Sequence, residues 1–126
     1  MKASRIAVLV LTVASVALLA GCGKKSTAAD CLKANIQAAL DLNKEAHLQT
    51  ISQRCRSAIA DDINSGGALW QRNAERFTRD ASGPLTIVSE QQQGKQATVR
   101  ARIGNWDILA VLVNEDGWKV DSITSL

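Results

Sequence analysis

The sequence predicts an α+β domain in which N-terminal helices pack on one face of a curled antiparallel β-meander of three or four strands. Three observations carry this. Apolar residues recur with a helical period from Ala28 to Phe77. After Gly83-Pro84 the period drops to two. Turn signals at Gly104-Asn105 and Asn114-Glu115-Asp116-Gly117 then divide the second half into hairpin-sized pieces.

The first helix starts near Ala28, carries Leu32, Ile36, Ala39 and Leu40 on one stripe, and has Asp30 near its start as a cap or first-turn acid. A second stripe through Leu48, Ile51, Cys55, Ala58, Ile59 and Ile63 predicts a helix over Lys44 to Ile63, with Ser52 a candidate breakpoint and Ser65-Gly66-Gly67 the stop. The third helix places Leu69, Trp70, Ala74 and Phe77 on one side and Arg72, Arg76 and Arg79 mostly outward.

Leu85 to Glu90 reads as the first strand, followed by a polar turn at Gln91 to Lys95. In the next strand Val99, Ala101 and Ile103 alternate with Thr98, Arg100 and Arg102. A two-residue turn at Gly104-Asn105 sets the register: Ile103 opposite Trp106, Ala101 opposite Ile108, Val99 opposite Ala110, and Ala97 opposite Leu112 on the inner face. The same register puts Arg102 beside Asp107 outside, a favourable cross-strand pair. Trp118 to Ile123 closes the sheet after a turn in which Gly117 is expected to be left-handed.

The N-terminus has a different logic. Lys2 and Arg5 precede an apolar and small run from Ile6 to Ala20, about 15 residues where a spanning helix needs roughly 20. A basic segment, a short apolar segment and a small-residue cleavage site make a secretory signal. Leu19-Ala20-Gly21-Cys22 resembles the lipobox of bacterial lipoproteins. That resemblance implies a signal peptide over residues 1–21, diacylglyceryl and further acyl (palmitate-type) modification of Cys22, and a lipidated tether over 22–27 ahead of the domain at 28–126. Three acyl chains hold a protein on its membrane, since each buried methylene contributes about 0.8 kcal/mol and more than one chain is needed. Gly23 after the cysteine, rather than Asp, implies the outer membrane facing the periplasm by the sorting pattern of such lipoproteins.

Cleavage changes the charge balance. Lys2 and Arg5 leave with the signal, taking 15 basic residues to 13 against 12 acidic ones. A nearly neutral mature chain lacks the concentrated basic face of a nucleic-acid binder, and Lys24 and Lys25 sit where they would meet anionic headgroups. With Cys22 committed to lipid, Cys31 and Cys55 remain as an even pair in an oxidising compartment. If the first two helices turn about Asn43-Lys44, both cysteines lie about 18 Å from the hinge, level across a helix hairpin. A disulfide there would contribute about 3.5 kcal/mol in the chain-entropy model. Two buried free thiols are the other reading.

The helical half followed by a meander ending in Glu115-Asp116-Gly117-Trp118-Lys119-Val120-Asp121-Ser122-Ile123 resembles small lipoproteins of the nuclear-transport-factor-2-like superfamily. The resemblance implies a cone-shaped, cystatin-like α+β fold that can enclose a pocket between sheet and helices. Some members are isomerases, dehydratases or cyclases using an Asp/His pair there, and others have no known activity.

Little in this chain suits catalysis. His47 is the single histidine, and its neighbours Asp41 and Glu45 read as solvated. Asp61 and Asp62 read as helix-surface charges, and Asp107 is accounted for by Arg102. Metal, nucleotide and nucleophile motifs are absent from the sequence, and no cofactor is implied. Trp70, Phe77, Trp106 and Trp118 have two readings: the bulky part of a small core, or the lining of a small apolar pocket. Leu109, Val111 and Val113 make the third strand apolar on its outer side as well. Either neighbouring Arg100, Arg102 and Lys119 stems shelter them, or the face meets a protein partner or second copy. The expectation is a lipid-anchored, non-enzymatic interaction domain, with apolar-ligand binding in the cone cavity as the alternative. An open cavity lined by the aromatic residues would favour the second, and a filled core the first.

Overall fold

The computed structural model describes residues 26–126, so the expected signal peptide, the lipobox-like Leu19-Ala20-Gly21-Cys22 and Lys24-Lys25 lie outside the described residues. Helices α1 (Ala28–Leu40), α2 (Lys44–Leu48), α3 (Gln53–Ala58), α4 (Ala60–Asn64) and α5 (Ala68–Asp80) precede strands β1 (Leu85–Gln93), β2 (Gln96–Ile103), β3 (Trp106–Asn114) and β4 (Trp118–Ser125). The four strands form an open antiparallel sheet in the order β1-β2-β3-β4, a meander. The α+β class and the helices-then-sheet order are as the sequence predicts.

A capping box starts α1: Thr27 Oγ1 accepts the Asp30 N–H at 3.1 Å, and Asp30 Oδ2 accepts the Thr27 N–H at 3.3 Å. The helix buries Ala28, Cys31, Leu32, Asn35, Ile36 and Ala38. Its apolar stripe joins Val99, Ala101 and Ile103 of β2, Ile108, Ala110 and Leu112 of β3, and Trp118 and Val120 of β4 in one core. Alanines at 97, 101 and 110 keep the sheet's inner face low, so a helix can lie close to it.

The helix predicted over Lys44 to Ile63 breaks before Ser52, the candidate breakpoint, and again at Ile59, giving three short ones. Hydrogen bonding to the sheet edge decides this. Ile51 pairs in parallel with Val120, the Val120 N–H donates to the Thr50 carbonyl at 2.7 Å, and the Ser52 N–H donates to the Val120 carbonyl at 2.9 Å. An open strand edge offers unpaired backbone groups, and Thr50 to Ser52 take them in place of helical bonds. Ser52 then caps α3, its Oγ accepting the Cys55 N–H at 3.2 Å. Ile59, with φ −108°, separates α3 from α4.

In the sheet, Ile103 faces Trp106, Ala101 faces Ile108, Val99 faces Ala110 and Ala97 faces Leu112, the predicted register. Arg102 Nε meets Asp107 Oδ1 at 3.1 Å. Strand β1 is longer than expected: Gln91, Gln92 and Gln93 pair with Thr98, Ala97 and Gln96, and the turn shrinks to Gly94-Lys95. Gly104 has φ +60° and abuts the preceding loop so closely that a Cβ would fall on the Ser82 carbonyl oxygen. Before β4, Asp116 joins Gly117 at positive φ, and Asn114 Oδ1 accepts the Gly117 N–H at 3.0 Å.

Two residues interrupt the ladders. Val88 is skipped in β1 between Ile87 and Ser89. Asp121 is skipped in β4, where Leu112 pairs with Val120 and Val111 with Ser122. The second bulge puts Ile123 opposite Ala110 on the inner face. On the outer face Leu109, Val111 and Val113 are half-buried, lying beside Arg100, Thr98 and Gln96 of β2 and Thr124, Ser122 and Lys119 of β4.

Candidate functional site

A half-open cavity of about 350 Å³ lies between α1, α5, the short helices and the far half of β4. Its apolar wall comes from Ala39, Ile51, Ile59, Leu69, Trp70, Ala74, Phe77, Val120 and Ile123. The opening follows from the fragmented second stripe, because α2, α3 and α4 have no fully buried residue and do not fill the space beside β4.

The aromatic residues divide between the two readings. Trp70 and Phe77 line the cavity. Trp106 and Trp118 do not, which corrects the expected pocket set. Trp106 stacks at a tilt on Phe77, ring centroids 5.5 Å apart, and its Nε1 donates to Ser125 Oγ at 2.8 Å. Trp118 is buried in the core under α1.

The expected Cys31–Cys55 disulfide is also corrected, because Cys55 is a free thiol. The helix hairpin that would have levelled the two sulfurs is not formed, because the chain leaves the helix at Thr50. Cys31 is buried with Sγ 3.1 Å from the Trp118 carbonyl oxygen. Cys55 reaches three residues further along β4, its thiol donating to the Asp121 carbonyl at 3.0 Å.

The polar groups of the lining are mostly committed to one another. Trp70 Nε1 donates to His47 Nδ1 at 3.1 Å, and the two rings meet edge to face at 5.5 Å. Burial pushes the His47 imidazole below its ordinary value, so it is neutral at pH 7. Asn35 Nδ2 donates to Thr50 Oγ1 at 2.8 Å, which in turn donates to the His47 carbonyl at 2.6 Å. Asp121 accepts from Arg54 Nε at 3.0 Å and from Ser52 Oγ at 2.7 Å. The Arg54 hydrogen bond first, then that of Ser52, holds the Asp121 carboxyl below its ordinary range.

Asp62, read from sequence as a surface charge, is the cap of α5. Its two carboxylate oxygens accept the Leu69 and Trp70 N–H groups, each at 2.9 Å. Gly67, at the cap position itself, has no side chain to do so. The signal was present in outline: a helix entered through glycines, with an acid a few residues earlier. An anionic group is favourable there against the helix dipole.

Chemically, this arrangement can hold an apolar body and offer it very few hydrogen bonds. Among the described residues His47 is not paired with a carboxylate, and Cys55 is not paired with a base. Among the described residues no group of three or more His, Cys, Asp or Glu side chains is placed to hold a metal ion. No family model, curated protein or solved structure matches the chain.

Proposed function

We propose that this protein is a lipid-anchored cell-envelope lipoprotein whose α+β domain, of the nuclear-transport-factor-2-like kind, binds a small apolar ligand in the cavity between α5 and β4 and catalyses no reaction on it. The observation that carries the reading is the cavity itself. It is apolar, within the size range of small-molecule sites, and walled by Trp70 and Phe77, with its carboxylates tied to structural partners. The test uses the lipoprotein in phosphatidylcholine nanodiscs with 2-ethylnaphthalene as probe. Saturable movement of the Trp70 indole N–H resonance is expected, and Ala74→Trp, which fills the cavity, should abolish it. Saturation that survives in a folded Ala74→Trp protein would remove the cavity from the account.

Anchoring rests on Leu19-Ala20-Gly21-Cys22 and its basic and apolar flanks. Cys22→Ser should release the protein from membranes, and retention in the membrane fraction would count against lipidation. One sulfur cannot carry both a thioether and a disulfide. Recovery of Cys22 from the mature protein in a disulfide, for instance with Cys31, would overturn the lipid assignment. Outer-membrane placement facing the periplasm follows from Gly23 under the same proposal.

A second reading, docking of a protein partner or a second copy, is favoured by the continuous apolar file Leu109, Val111 and Val113 on the outer face. Leu109→Lys would break such an association and leave probe binding in the cavity unchanged.

A further inference from the structure

We infer that the cavity selects an uncharged ligand bearing one hydrogen-bond acceptor, such as a ketone, ester or amide oxygen, and that His47 Nε2–H is the group that recognises it. This rests on the cavity reading above and goes further, to the class of ligand.

The indole N–H of Trp70 can only donate. Because it points at His47 Nδ1 from 3.1 Å, that nitrogen must be the acceptor and cannot carry a proton. In a neutral imidazole the proton then sits on Nε2. Protonating the ring would place a second hydrogen against the indole N–H and break the bond, and burial disfavours the charged form as well. Among the described residues Nε2 has no protein partner, while His47 stands in the cavity lining. The side chain is thus locked as a donor with one free hydrogen.

The other polar groups narrow the choice. Asp62 and Asp121 both border the cavity as carboxylates, already bonded to the α5 amides and to Arg54. With no cation in the lining and two anions beside it, a ligand carboxylate or phosphate would meet repulsion and desolvation without compensation. Asp62 and Asp121 offer an acceptor-bearing neutral molecule nothing further; of the lining side chains that can still donate, Asn73 and Ser122 are exposed, whereas His47 is half-buried and held in one tautomer.

The experiment compares 2-acetylnaphthalene with its near-isostere 2-ethylnaphthalene, using the intact lipoprotein in the same nanodiscs. A neutral hydrogen bond contributes about 1 kcal/mol, or about fivefold in affinity. The ratio of the two dissociation constants should therefore shift about fivefold against the acetyl probe in His47→Phe. His47→Gln, whose amide can accept from Trp70 and still donate, should largely restore it. An unchanged ratio in His47→Phe overturns the inference and leaves the cavity reading standing, whereas failure of both probes to bind wild type overturns both. Tighter binding of 2-naphthoate than of 2-acetylnaphthalene overturns the uncharged class. Independently of any variant, ¹⁵N spectra of the wild-type protein should show the Nε2-protonated neutral tautomer, with Nε2 moving on addition of 2-acetylnaphthalene. An Nδ1-protonated ring would refute the assignment.

Discussion

The two flanks of the helical layer differ in how completely they meet the sheet. Under α1 the packing is dense: one 13-residue helix buries six residues, Ala28, Cys31, Leu32 and Ile36 among them in the core shared with β2, β3 and the start of β4. Beside β4 the same layer is built from α2, α3 and α4, none of which buries a residue fully, and from α5, which buries only Trp70 and Ala74. Hydrophobicity does not separate the two flanks, since the second stripe carries Leu48, Ile51, Ile59 and Ile63. The edge of β4 does. By drawing Thr50 to Ser52 into strand-like pairing, it shortens the helices to one or two turns each and leaves a hollow where a long helix would have lain. A cavity can therefore arise from competition for backbone hydrogen bonds in a sequence with no shortage of apolar side chains.

Truncating one side chain on each flank would sharpen that contrast. Leu32 is 0% exposed at the centre of the dense flank, so Leu32→Ala should cost about 3 kcal/mol in urea unfolding. Asp62→Ala comes next. It leaves two amides at the start of α5 without their acceptor and should cost about 1 kcal/mol. Hydrogen exchange at Leu69 and Trp70 should rise more than at α1. A loss confined to α1 would show that the hollow flank does not depend on this cap.

Acid provides a third, smaller probe of the hollow flank. His47 has a folded-state value below the ordinary 6.5, so between those two values the unfolded chain binds more protons than the folded one. Stability should fall as the pH drops from 6.5 through the folded value, and His47→Gln should flatten that slope. Asp121, also depressed, contributes stability present above its ordinary value and lost only as pH falls through its lower folded value, so its effect comes later. The smallest change is expected from Ile123→Ala. Ile123 is 41% exposed on the cavity wall, and its truncation should cost under about 1 kcal/mol. A loss matching that of Leu32→Ala would mean that the cavity is closed in solution.

The β half was legible because two-residue turns convert alternation directly into register. Placing Gly104-Asn105 at the turn determines each partner from Ile103-Trp106 to Ala97-Leu112, and the Arg102–Asp107 pair with them. The length of β1 was less so, since three glutamines read as a turn and pair as a strand. Helical periodicity placed α1 and α5, and Ser52 marked a candidate breakpoint, but the strand-like pairing that makes the split depends on a strand some seventy residues later in the chain. The misassigned disulfide follows from the same event, because it presumed the helix hairpin. Trp70 and Phe77 were named for a pocket from their spacing alone. Trp106 was named with them because inward-facing and cavity-lining are the same from sequence, yet Phe77 stands in between. Neither the Trp70–His47 bond nor the Asp62 cap has a periodic signature.

Asp121 is supernumerary to the sheet: Val120 and Ser122 take the neighbouring partners Leu112 and Val111 as if it were not there. Its carboxylate holds Ser52 and Arg54, and its carbonyl accepts from Arg54 and Cys55. The instruction that orients β4 and the instruction that docks α3 are therefore written in different residues. Deletion of this one residue would leave the faces of Val120, Ser122 and Ile123 in phase, while releasing the helix at the cavity mouth. The mouth can thus be altered without re-registering the sheet behind it.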